Sequence, residues 1–145
     1  MATSSLRASP PRQGGIDAAL LILRLVLGIL ILFHGVAKLP PPPTEIAGEL
    51  AKLNLPAALA YGVYIGEIVA PVLIIIGVWT RLAALLTVIN MVVAILLIHL
   101  PQLLTLHPGG GYALELQAFY LFTALALVLT GAGRFSVGGR YGPMN

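Results

Sequence analysis

"LLILRLVLGILILFHGVAKL", residues 20–39, decides how this chain is read. It is long and apolar enough to cross a bilayer, which takes about 20 residues. Yet it carries Arg24, His34 and Lys38. A lone arginine at mid-bilayer costs about 3 kcal/mol on insertion scales. The many Leu and Ile around it, at roughly −0.5 kcal/mol each, offset the cost of inserting the segment. They do not remove the need for a partner once helices assemble, so the polar groups should face the inside of a bundle.

The rest of the chain has the same character. Of 145 residues, 59% are hydrophobic and 9% charged, and the mean hydropathy is +0.99. A soluble domain is about one quarter charged, and a small fold cannot hide this much apolar surface from water. A bilayer is therefore the expected solvent. The net charge of +3 comes from scattered cations with no basic stripe, which argues against nucleic acid as a partner. The absence of cysteine excludes disulfides, thiol catalysis, cysteine-ligated iron–sulfur clusters and covalently attached c-type haem. Histidines 34, 99 and 107 lack a tight ligand spacing such as H-x-x-x-H, so neither a metal site nor bis-histidine haem is expected.

Four apolar runs lie at about 16–39, 57–79, 81–100 and 113–131. They predict an all-α integral membrane bundle of four transmembrane helices occupying 16–133. Residues 1–15 read as a flexible cytoplasmic tail, and 134–145 as a cytoplasmic tail. In the first outer loop, "TEIAGELAKLNL" predicts a short interfacial helix. The first run is too long for a cleaved signal peptide and contains Arg24. Arg7, Arg12, Arg81, Arg134 and Arg140 fall on one side of such a bundle, against Lys38 and Lys52 on the other. That bias predicts a multi-pass protein of a bacterial inner membrane with both termini in the cytoplasm.

Helical geometry sorts the polar groups by face. Gly28, Ile31, Gly35 and Lys38 lie within roughly 40° of Arg24, with His34 about 80° away. In the second run Gly62, Gly66 and Ala70 form a packing strip, and Tyr64, Glu67 and Pro71 share a face beside it. Pro71 has no N–H, so the carbonyl of Glu67 loses its helical donor and a kink is expected. Ala83, Thr87, Asn90 and Ala94 align in the third run. Glu115, Phe119, Phe122 and Ala126 align in the fourth, with Gln117 pointing away. Depth along the spans predicts an Arg24–Glu67 pair in a polar core that also holds Asn90 and Pro71. His34, Lys38 and Glu115 are expected to form a shallower outer cluster.

Several segments together resemble the DoxX family of small four-helix membrane proteins. They are "RLVLGILILFHGVAKL", "GEIVAPVLIIIGVWTRLAALL", "HLPQLL" with "GGGYALE", and "GAGRFS". By that resemblance Arg24, Gly28, His34, Gly35 and Lys38 occupy the family's R-x-x-x-G…H-G-x-x-K positions, and Glu67 and Glu115 its two glutamates. The chain departs from the pattern after Ser136, where Val137-Gly138-Gly139 replaces a segment that often carries aspartate. Some members are similar to the membrane subunit of a thiosulfate:quinone oxidoreductase, so the resemblance implies a quinone cofactor or a redox partner. Arg24, His34, Lys38, Glu67 and Glu115 are then the ligand or quinone-binding candidates, in a pocket between spans one, two and four. The alternative is a non-catalytic structural or assembly subunit of a larger membrane complex, with lipid and protein partners. A small permeation or lipid-handling protein is a third reading. No catalytic residue is named by the sequence.

Overall fold

The structure is a computed structural model that describes residues 13–39 and 43–145. The expected tail 1–15 thus falls almost entirely outside the described residues. The fold is helical: α1 (Gln13–Ala37), α2 (Thr44–Lys52), α3 (Ala57–Ile76), α4 (Thr80–Leu97) and α5 (Glu115–Thr130). Among the described residues no strand forms, only an isolated bridge between Leu106 and Tyr112. Three helices, α1, α3 and α4, are long and apolar enough to cross a membrane. The helix expected as a fourth span is shorter. At 16 residues α5 measures about 24 Å, a little less than a ~30 Å hydrocarbon core.

The packing is that of a protein solvated by lipid. Ile22, Phe33, Ile89, Leu96 and Phe119 are exposed, while the centre is built from small residues. Ala70, Ala83, Ala84 and Ala124 are fully buried, which lets the helix backbones approach. Two glycines bring α1 close to α3. A methyl on Gly28 would meet Ile75 Cγ1 at 2.5 Å and the Pro71 carbonyl at 3.0 Å. At Gly35 it would collide with the carbonyl of Glu67. On the far side of α3, Gly66 is pressed against Asn90 of α4.

The kink expected at Pro71 takes the form of a π-helical turn over Ile65–Val69. Ala70 donates its N–H to the carbonyl of Ile65, five residues back. Such a turn widens the helix where proline denies it a donor, and π-turns often mark functional sites. Pro71 itself is buried within the first turn of the α-helical stretch Ala70–Ile76 that follows.

Residues 134–145, read from the sequence as a tail, fold back together with 131–133 as a cap over one end of the bundle. Val137 and Gly138 donate N–H groups to the last carbonyls of the α3 end, those of Ile76 and Gly77. Asn145 is buried; its Oδ1 accepts from the N–H and hydroxyl of Thr80 at 3.1 and 2.8 Å. Its Nδ2 donates to the Gly77 carbonyl at 3.1 Å. The cap therefore completes both the end of α3 and the start of α4. Between them Trp79 takes φ 48°, unusual for a bulky residue, in a link of three residues. Asp17 of α1 is tied to the same cap, accepting from Arg140 Nη2 at 2.6 Å and from the Arg134 N–H at 2.9 Å. That bond holds the Arg140 pKa above its ordinary value.

Arg24 is the keystone of this end. It is buried, and its guanidinium donates to four carbonyls. Nε reaches Ile74 at 2.9 Å, Nη2 reaches Ile75 at 3.0 Å, and Nη1 reaches Ala132 and Phe135 at 2.8 Å each. The first two belong to the last turn of α3, and Ala132 lies just past the end of α5. Each helix end carries roughly −0.5 charge, so together they neutralise one cation without a carboxylate. Replacing Arg24 with Leu should cost at least about 3 kcal/mol, because four acceptors lose their donor, and those of Ile74 and Ala132 are buried. Arg24→Lys should recover less than half of that, since an ammonium cannot fork as a guanidinium does. Unfolding in mixed micelles measures both; a lysine variant as stable as the parent would refute the fork.

Candidate functional site

At the other end, the sequence brings a cation and an acid together, but not the pair expected from depth. Gly28 lies against Pro71 and Ile75, and Gly35 against Glu67. This register puts Arg24 level with the end of α3. Glu67 is then eight residues away along α3, about 12 Å. The Arg24–Glu67 pair does not form. Lys38 is the partner of Glu67, joined by a short ion pair. The reason is that the first turns of α1 overhang α3 and pack on the cap at Asp17 and Gly133. Measuring depth from the start of the apolar run therefore displaces Arg24 by two turns.

Glu67 is buried, its side chain 5% exposed against 37% for Lys38. Asn90 Nδ2 donates to its Oε1 at 3.3 Å, so both carboxylate oxygens are engaged. Tyr64 OH donates to the Lys38 carbonyl at 3.0 Å and steadies the end of α1. Every buried side-chain nitrogen and oxygen among the described residues has a hydrogen-bond partner.

Lys38 and Glu67 open on a cavity of about 270 Å³. All four long helices wall it, α4 included, which was not expected, and Glu45 of α2 reaches its lining. His34 stands at its edge, with Nε2 3.4 Å from Tyr120 OH and the two rings edge-on at 5.8 Å. Across it, Gln117 Nε2 lies 3.5 Å from His99 Nε2, and His99 Nδ1 lies 3.1 Å from Gln102 Oε1. Glu115 does not join His34 and Lys38. It is exposed beside the Gly111 turn, so the expected outer trio is replaced by Lys38 with Glu67 and His34 with Tyr120.

Tyr120, His99, Gln117 and Glu45 were missed from the sequence. For Tyr120 and Gln117 the error is one of rotation. Phe119 and Phe122, read as sharing a face with the candidate Glu115, are 73% and 65% exposed, while Tyr120, Ala124 and Leu127 are buried. The spacing Gln117, Tyr120, Ala124, Leu127 is itself a helical stripe and could have been chosen for its small residue. His99 follows the end of α4 at Leu97, where wheel angles no longer apply. Among the described residues no group of three or more His, Cys, Asp or Glu stands together as a metal site. What the cavity offers is donors: an ammonium, a phenol and imidazoles beside one buried carboxylate.

A family model described as DoxX matches residues 19–100. The chain belongs to the DoxX family. The matched region covers Arg24, His34, Lys38, Glu67, Pro71 and Asn90 and stops before α5. Relatives are 30% identical. They include an uncharacterized membrane protein of Mycobacterium tuberculosis, matched over 82% of this chain and 78% of its own length. An uncharacterized protein of Haemophilus influenzae is matched over 84% and 90%. A Bacillus subtilis protein named "Putative oxidoreductase CatD" is matched over 77% and 78%. No solved structure matches the chain. As a DoxX-family member with several apolar helices, the protein is an integral membrane protein in contact with lipid.

The ion pair makes a sharp energetic prediction. Lys38→Met leaves a carboxylate buried with one amide donor and should cost about 2 kcal/mol of stability, the penalty of an under-satisfied buried acceptor. The double variant Lys38→Met, Glu67→Met should lie nearer the parent than either single change. Additive losses in the double-mutant cycle would mean that the two groups do not act as a pair.

Proposed function

We propose that this protein is a quinone-associated component of a membrane redox system, with the head group held in the Lys38–Glu67 cavity. The observation that carries this is a donor-lined cavity inside an otherwise apolar bundle, where intramembrane ionisable groups are functional candidates by default. The relative named as an oxidoreductase supports the same reading. A quinone supplies two-electron, two-proton carrier chemistry when bound. Lys38 Nζ and Tyr120 OH are placed to donate to carbonyl oxygens, and His34 and Glu67 can accept protons. Asn90 keeps the Glu67 carboxylate aimed at the cavity. Electrons then come from a protein partner, and the assembly-subunit reading differs only in denying the cavity a ligand.

The same proposal gives the topology. All four long helices cross the bilayer, α5 in a locally thinned or tilted setting, and α2 lies on the outer surface with its exposed Glu49–Lys52 pair in water. The start of α1, the α3–α4 link and the cap share one end, tied by Asp17–Arg140 and by Arg81 with Asn145. Their arginines support a cytoplasmic side for that end by the positive-inside bias.

Two experiments test these statements. Protein purified gently into lipid nanodiscs should retain quinone on solvent extraction. A tailless benzoquinone should bind Lys38→Met about tenfold more weakly, the loss of one hydrogen bond from a charged donor. No retained quinone together with no binding by the parent would remove the redox reading and leave the assembly subunit. For topology, the cysteine-free chain accepts single cysteines at Gly14 and Gly109, where added atoms meet nothing nearer than 3.7 Å. An impermeant maleimide added outside cells should label Gly109→Cys and spare Gly14→Cys; the reverse pattern inverts the protein.

A further inference from the structure

Lipid-facing depressions among the described residues flank the polar cavity, and three of them are not equivalent. One, of about 440 Å³, lies between α2, α3 and α4. It shares no lining residue with the polar cavity, and the tight Gly66–Asn90 contact closes α3 against α4 beside it. The second, of about 520 Å³, lies between α1 and α5 and has Leu116 and Tyr120 in common with the polar cavity. The third, of about 390 Å³, continues the second along α5 through Leu23, Phe119 and Thr123 as far as Ala126. From Glu115 to Ala126 the combined groove runs about 16 Å, lined mostly by carbon below the Glu115 carboxylate at its upper rim.

The groove has a structural cause. Gly28 and Gly35 draw α1 onto α3, and α1 touches α5 less closely. The α1–α5 seam is left open to the bilayer, with Val26, Leu30 and Phe119 exposed along it. At its upper end the seam meets Tyr120, whose hydroxyl faces His34 in the polar cavity. A polar chamber and an apolar channel that share a wall fit one kind of ligand, an amphiphile with a compact polar head and a long single chain.

We infer that the α1–α5 groove holds the apolar tail of the quinone whose head occupies the Lys38–Glu67 cavity, so that this ligand enters sideways from the bilayer. This rests on the head-group reading above. Leu116 and Tyr120 form the sill between the two compartments, and Thr123 lies midway along the tail path.

The test uses a benzoquinone with a decyl tail ending in a photoreactive diazirine, added to the full chain in nanodiscs, with labelled residues mapped by mass spectrometry. Labelling is expected at Leu23, Phe119, Phe122 and Ala126 and is expected to fall when excess tailless benzoquinone occupies the cavity. Filling the groove with Thr123→Trp should lower that labelling about tenfold, a clash of ~1.4 kcal/mol sufficing, while tailless benzoquinone still binds. Val26→Trp, at a lipid-exposed position, should act in the same direction and guards against misfolding of the first variant. Labelling at Leu59 or Ile89 that tailless benzoquinone displaces would overturn the groove and leave the head site standing. Groove labelling that tailless benzoquinone does not displace would mean ordinary lipid-chain occupancy and overturn both.

Discussion

The approach of α1 to α3 at Gly28 and Gly35 is the constraint on which the rest of this structure depends. Neither position has room for a methyl group, and at Gly35 the neighbour is the backbone carbonyl of Glu67. With no hydrophobic force between helices in lipid, such contacts set register through shape. One register follows, and each polar group on α1 inherits its partner from it. Lys38 arrives at Glu67, and Arg24 arrives at the end of α3. The same leaning of α1 opens the seam toward α5.

The two ends of the bundle handle charge differently. At the capped end, Arg24 is satisfied by carbonyls alone, using helix ends and residues 131–145 as a distributed counter-charge. The guanidinium is buried there, and each of its three nitrogens is engaged by a carbonyl. At the other end a carboxylate is buried on a π-turn, held by an amide and a half-exposed lysine beside a cavity. A buried ion pair is weak evidence for stability, and this one lies where helix geometry is already irregular. That contrast favours Lys38 and Glu67 over Arg24 as the proposed ligand site.

Much of the fold was legible. The apolar runs marked the helices, the Arg24–Gly28–Ile31–Gly35 face of α1 is the buried one, and Pro71 announced the irregularity beside Glu67. The site was legible in its members and not in its pairs. His34, Lys38, Glu67 and Asn90 were all named, yet Arg24 was given Glu67, and Lys38 was given Glu115. Depth counted along a sequence assumes that spans start level, whereas α1 overhangs its neighbours. The rotation of α5 misled for another reason: Phe119 and Phe122 are apolar, and in a membrane the apolar face points outward.

Composition and periodicity by themselves determined the solvent, the helical class, the polar face of α1 and the need for partners at each intramembrane charge. These follow from transfer free energies and a fixed helical repeat, which are local properties. Which charge meets which, that residues 131–145 close one end, and that all four long helices share one cavity were decided only by tertiary structure. Register and rotation between helices depend on where two backbones can touch, and that depends on Gly28, Gly35 and Gly66 meeting particular atoms on other helices.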